Sequence, residues 1–187
     1  MKRYLGLSLL SMVVSAIPLF AADVRYFETS GLIYDERRGI YYRVPVWLTY
    51  DPSSGSVKLS FQGFFNEYAI VFTDRNRKLF LDLLDKYLDW LKEARRRGVL
   101  VGRTFGSLDV PLYFNLKGMG WSYDPSVALK VMSLGMSGRF MLVLDISSKL
   151  YREGTGTKVE KLFLRENEAR KLREALTDEF IRSKAGG

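Results

Sequence analysis

The chain has 187 residues, a formal net charge of +8, 47% hydrophobic and 14% aromatic residues, and neither cysteine nor histidine. That composition predicts a packed body rather than a disordered one, at a length suited to one domain. The two missing residue types exclude disulfides, thiolate metal sites, the usual zinc sites and every imidazole-based triad.

Lys2 and Arg3 precede an uncharged apolar stretch from Leu5 to Phe20, and Ala21 and Ala22 stand just before the first acid, Asp23. This is the order of an export signal. As a helix the apolar stretch would reach ~24 Å, short of the ~30 Å hydrocarbon core of a membrane, and Pro18 disturbs its far end. Residues 1–22 therefore read as a signal peptide and not as a permanent transmembrane span, with Val14-Ser15-Ala16 as a second cleavage candidate. Without Lys2 and Arg3 the formal charge falls from +8 to +6. That excess favours anionic surfaces and also serves plain solubility. With no cysteine for bridges or a lipid anchor, and no N-x-S/T sequon, the expectation is a periplasmic or secreted bacterial protein.

Residues 24–34, "VRYFETSGLIY", supply a first strand candidate, and "GIYYRVPVWLTY" follows with strict alternation. Ile40, Tyr42, Val44, Val46, Leu48 and Tyr50 share one face of that run, and Tyr41, Arg43, Pro45, Trp47 and Thr49 share the other. Pro45 predicts an edge position or a bulge. "DPSSGS" is a turn cluster, and "VKLSFQG" and "YAIVFT" read as two short strands.

From residue 72 to 98 the period becomes helical. Phe80, Leu83, Leu84, Tyr87, Leu88, Leu91 and Ala94 fall on one face, and Asp82, Asp85, Lys86, Asp89 and Lys92 fall largely on the other. Thr73 or Asp74 can cap the start and Gly98 the end. Arg95, Arg96 and Arg97 then sit at the negative end of the helix dipole, within reach of Glu93.

The second half shows the same order of periods. "LDVPLYFN" at 108–115, "VALKVMSL" at 127–134, "GRFMLVLDIS" at 138–147 and "KVEKLFLR" at 158–165 are strand candidates, and "YREGTGT" at 151–157 is a loop. A helix over 166–184 follows, with Ala169, Leu172, Leu176 and Phe180 as its stripe. Superposing Lys78-Leu79 on Lys171-Leu172 aligns the two strand-to-helix joints. The expected fold is α+β: two antiparallel strand-rich halves, about 23–98 and 99–187, each ending in one long amphipathic helix and related by a candidate internal pseudo-repeat.

Phe72, Asp74, Asn76, Arg77, Phe80, Leu81, Lys86, Tyr87 and Trp90, followed by Gly106 and by "LFLRENEARKLREAL", resemble a group of secreted bacterial proteins without known activity. By element order alone the chain is similar to the PUR and whirly nucleic-acid-binding folds, although no sequence motif of those families stands here. Neither resemblance implies a catalytic residue.

Chemistry is sparse along the chain. No serine precedes a lysine at the S-x-x-K spacing. Asp82, Asp85 and Asp89 could hold a hard cation, but Lys78, Lys86 and Lys92 lie beside them and favour a solvated face. Gly118-Met119-Gly120 and Gly154-Thr155-Gly156 lack the following helix of a phosphate cradle. Met119, Met132, Met136 and Met141 read as gap fillers of the core. Two clusters remain as binding candidates: Arg95, Arg96, Arg97 and Arg103 for anions, and the alternating Tyr41, Arg43 and Trp47 as an aromatic ligand face, unless another layer covers them. No catalytic residue, metal ligand or cofactor is nominated. The expected function is a non-catalytic binding or structural protein of the envelope, acting on an envelope protein or an anionic surface; export points away from nucleic acid. A polyanion-binding module and a hydrolase with dispersed carboxylates are the alternatives.

Overall fold

A computed structural model of the chain describes residues 23–64, 66–98, 101–116, 120–136, 139–147 and 161–185. The proposed signal peptide, the loop at 151–157 and both glycine pairs lie wholly or partly outside the described residues. The elements are β1 (Val24–Asp35), β2 (Ile40–Asp51), β3 (Ser56–Gln62), β4 (Asn66–Phe72), α1 (Asp74–Arg97), β5 (Thr104–Leu116), β6 (Gly120–Met136), β7 (Arg139–Ser147), β8 (Leu162–Leu164), α2 (Glu166–Ala175) and α3 (Asp178–Ala185).

All eight strands join in sequence order into one closed antiparallel barrel. This corrects the expected α+β arrangement of two halves. The strand before α1 pairs with the strand after it, Asn66–Ile70 against Leu112–Leu116, so both halves share one ladder. The ring closes through β8, which pairs with β1 at Leu32 and Ile33 and with β7 at Leu142–Leu144. Strand closure removes the free edges that two separate sheets would leave. The second long helix is also corrected: it breaks after Leu176, where the Thr177 hydroxyl donates to the Glu174 carbonyl at 2.8 Å and accepts from the Phe180 amide at 3.3 Å. A threonine so placed ends one helix and caps the next. Of "KVEKLFLR", only Leu162–Leu164 is strand among the described residues.

Alternation decides which way each side chain points. Val46, Leu48, Leu59, Phe61, Ile70 and Leu112 are buried and turned to a shared core with the apolar faces of all three helices. Glu28, Arg43, Asp109 and Lys130 point outward and are exposed. A membrane-spanning barrel has the opposite polarity, apolar outside and polar inside. Among the described residues, no helix is long and apolar enough to cross a membrane. Pro45 sits just past the β2–β3 pairing, which begins at Val46, so its missing amide breaks no bond on that side.

The helix α1 has the caps its sequence predicts: Thr73 accepts from the Asn76 amide at 3.3 Å, and Gly98 closes the end at φ 65°. Its stripe packs on β4, β5 and β6, with Phe80 stacked on Phe72 at 4.8 Å, and Trp90 beside the stripe stands edge-on to Phe140 of β7 at 4.8 Å. The helix α2 lies beside it in the opposite direction, over β1, β7 and β8. Ion pairs run along the seam. Arg95 meets Glu166, Arg173 forks onto Asp85 at 2.9 and 3.0 Å, and Arg77 meets Asp178.

Candidate functional site

The outer face of the barrel carries a cleft where β8 ends. β2 alternation turns Tyr41 and Arg43 outward, and the register sets Tyr41 opposite Tyr34 and Arg43 opposite Leu32. Leu32 in turn stands opposite Phe163 of β8. After Leu164 the chain leaves the sheet, and Arg165 and Glu168 open α2 beside the same surface. Leu32, Tyr41, Arg43, Phe163, Arg165 and Glu168, with Ser30 and Gly31, line a cavity of about 260 Å³. Because β8 pairs with β1 only at Leu32 and Ile33, the β1 edge at Ser30 and Gly31 has no strand partner on that side among the described residues.

The floor is apolar. Phe163 belongs to an outer cluster with Met141 and Val143, against which Leu32, Tyr41 and Met132 are half-buried. Tyr41 stands edge-on to Phe163 at 5.2 Å and lies 4.8 Å from the Tyr34 ring. Partial burial, helped by the neighbouring Tyr34, raises the Tyr41 hydroxyl above its ordinary pKa. The rim is charged. Arg43 and Arg165 are exposed, and neither has an ion-pair partner among the described residues. Glu168 has one carboxylate oxygen, Oε2, buried with no hydrogen-bond partner there.

The sequence candidates separate into different places. Tyr41 and Arg43 reach the cleft together, whereas Trp47 lies farther along the same face with the Arg25 guanidinium 4.9 Å from its ring centroid. Among the described residues no other layer lies over this face: Arg43 is exposed and Tyr41 and Trp47 are half-exposed. Arg95, Arg96 and Arg97 are engaged in ion pairs, the first with Glu166 and the other two with Glu93. Arg103 uses its backbone, exchanging bonds with Ser133 at 2.7 and 2.9 Å. Asp85 pairs with Arg173 and Asp89 with Lys92. Among the described residues no group of three or more acids gathers where it could hold a metal ion. Met141 fills a gap, as read, but in the outer cluster rather than the core.

Phe163, Arg165 and Glu168 were absent from the sequence candidates. Each reads locally as a strand residue or a helix start, and only closure of the ring brings them to Tyr41. Tyr113 and Tyr123, whose rings lie 4.7 Å apart across β5 and β6, and the exposed Trp121 form a second outward aromatic group that alternation alone did not single out.

No family model, curated protein or solved structure matches this chain. The resemblance to secreted bacterial proteins and the likeness to PUR and whirly folds therefore bring no residue role to the cleft.

Proposed function

We propose that this is a non-catalytic binding protein of the bacterial envelope, and that the cleft receives a small anion with an apolar portion. The observation that carries the reading is the pair of guanidiniums, Arg43 and Arg165, which have no ion-pair partner among the described residues and line one cavity of about 260 Å³. A guanidinium presents a planar fork of donors that matches a carboxylate or phosphate, and it is less strongly hydrated than an ammonium. The apolar wall of Tyr41, Leu32 and Phe163 would take the remainder of the ligand. Ligand clefts commonly combine an apolar lining with a few convergent polar groups, and this volume is below the ~300–1,000 Å³ usual for larger ligands.

Among the described residues the lining contributes a single carboxylate, Glu168, where glycoside hydrolysis ordinarily uses two. This favours binding over the hydrolase alternative. The pairing of Arg95, Arg96 and Arg97 with acids weakens the polyanion alternative, since a polyanion would have to displace those partners. The envelope assignment is supported by the N-terminal pattern of Lys2, Arg3 and the apolar stretch that follows.

Isothermal titration of the purified protein against a panel of small carboxylates and phosphates tests the reading. At least one should bind, with at least a tenfold loss in both Arg43→Ala and Arg165→Ala while unliganded thermal stability is unchanged. Absence of binding across the panel, or binding indifferent to both substitutions, overturns it. Sequencing the N-terminus of the protein from fractionated cells tests export; retention of Met1 in the cytoplasm sinks that assignment.

A further inference from the structure

We infer that the outer face of β2–β6 binds a neutral oligosaccharide, at a site that does not depend on the cleft. The registers set five outward side chains in one row across five strands: Trp47 opposite Ser60, Ser60 opposite Ala69, Ala69 opposite Tyr113, and Tyr113 opposite Tyr123. Ser60 and Ala69 point away from the core yet are only 5% and 6% exposed, screened by larger neighbours. They form the floor of a shallow trough between Trp47 on one side and the two tyrosines on the other. Tyr113, Trp121 and Tyr123 are 39%, 53% and 48% exposed, and the tyrosine rings lie 4.7 Å apart as one platform. Contiguous exposed apolar groups mark interaction surfaces, unlike scattered ones.

The row two residues along is polar, and it selects the ligand. Glu67 stands opposite Asn115, and Asn115 opposite Trp121. Among the described residues neither the Glu67 nor the Asn115 side chain has a hydrogen bond or ion pair. A sugar ring presents C–H groups on one face, which suit the negative face of an aromatic ring, and hydroxyls at its edge, which a carboxylate and a carboxamide can bind. An apolar protein surface laid on the rings would leave Glu67 and Asn115 covered and unpaired. Single-stranded nucleic acid would stack on the same rings but needs a basic track for its phosphates. No such track flanks the rings among the described residues: in the row on the other side Lys58 pairs with Asp23 at 2.7 Å and Arg25 with Glu28 at 3.0 Å. Trp47 and Tyr113 stand three strand spacings apart, ~14 Å, so a chain of sugar units reaches both platforms where a single unit does not.

Calorimetry on the purified chain tests this with cellohexaose, maltohexaose and N-acetylchitohexaose, each beside its disaccharide, and with a thymidine decanucleotide. At least one hexasaccharide should bind, at least tenfold more tightly than its disaccharide and than the oligonucleotide. Trp121→Ala and Tyr123→Ala should each weaken it at least tenfold at unchanged Tm, and Tyr123→Phe should retain it. If Tyr123→Ala lowers Tm, Trp121→Ala decides, because Trp121 is the most exposed of the three rings. Absence of hexasaccharide binding, binding indifferent to both substitutions, or tighter binding of the oligonucleotide overturns the inference. Arg43→Ala should leave hexasaccharide affinity unchanged; a tenfold loss there would put the sugar in the cleft and overturn it equally. Small carboxylates and phosphates should bind as well to Trp121→Ala as to the unaltered chain, so the two sites stand or fall separately.

Discussion

Arg77 at the start of α1 donates to the Leu176 carbonyl at 2.6 Å, across 99 positions of sequence, and so ties the first helix to the break between α2 and α3. The same guanidinium donates to Asp74 at 2.6 Å and also pairs with Asp178. Burial works against its charge, but Asp178 and Asp74 outweigh it and hold its pKa above the ordinary value. Arg77→Met keeps the stem and removes every donor. The expected loss is ~1.5–3 kcal/mol, the range for hydrogen bonds to charged groups, read by urea denaturation. Arg77→Lys should fail to restore the full value, because an ammonium lacks the planar fork.

Tyr87 presents the opposite case. Its ring is buried against Phe105, 5.7 Å away, and its hydroxyl has no partner among the described residues. Burial, then the Glu166 charge, pushes its pKa far up. Tyr87→Phe removes an unsatisfied hydroxyl and leaves the packing, so stability should rise by ~1 kcal/mol. A clear fall in Tm would show that the hydroxyl is bonded in solution.

Gly31 lies where the barrel closes. A Cβ placed there would come 2.5 Å from Leu162 Cδ1, 3.0 Å from Val46 Cγ2 and 3.2 Å from Leu164 Cδ2. Gly31→Ala should cost ~1–3 kcal/mol, as overpacking of a filled core does. It should also weaken cleft binding, since β8 must shift. Unchanged stability and affinity together would argue against this closure.

Asp51 sets the acid response of the β2–β3 turn. The Ser53 hydroxyl at 2.5 Å and the Ser54 hydroxyl at 2.8 Å donate to its carboxylate and hold its pKa at about 2 against an ordinary 3.8. A depressed folded-state pKa contributes stability above the unfolded value, lost as pH falls from 3.8 through about 2. Asp51→Asn should flatten that part of the stability profile. An Asp51 titration midpoint near its ordinary value, followed by NMR, would show the turn to be open.

Local pattern was enough for the first helix, for most of the strands and for two of the cleft residues. The alternation of Tyr41 and Arg43 against Val44 and Val46 is a period of two, and the stripe from Phe80 to Ala94 is a period near four; both are properties of neighbours in sequence. The caps Thr73 and Gly98 belong to the same local order. The break at Thr177 was within reach too, but the apolar stripe running past it through Phe180 concealed it.

Closure was decided elsewhere. The pairing of β4 with β5 across a helix of 24 residues, and of β8 with β1 between Leu162 and Ile33, depends on backbone bonds that any sequence can make. Phe163, Arg165 and Glu168 join Tyr41 and Arg43 only through that ring. Periodicity tells a strand which face to bury; it does not tell the strand which distant edge to meet, and the cleft exists because of that meeting.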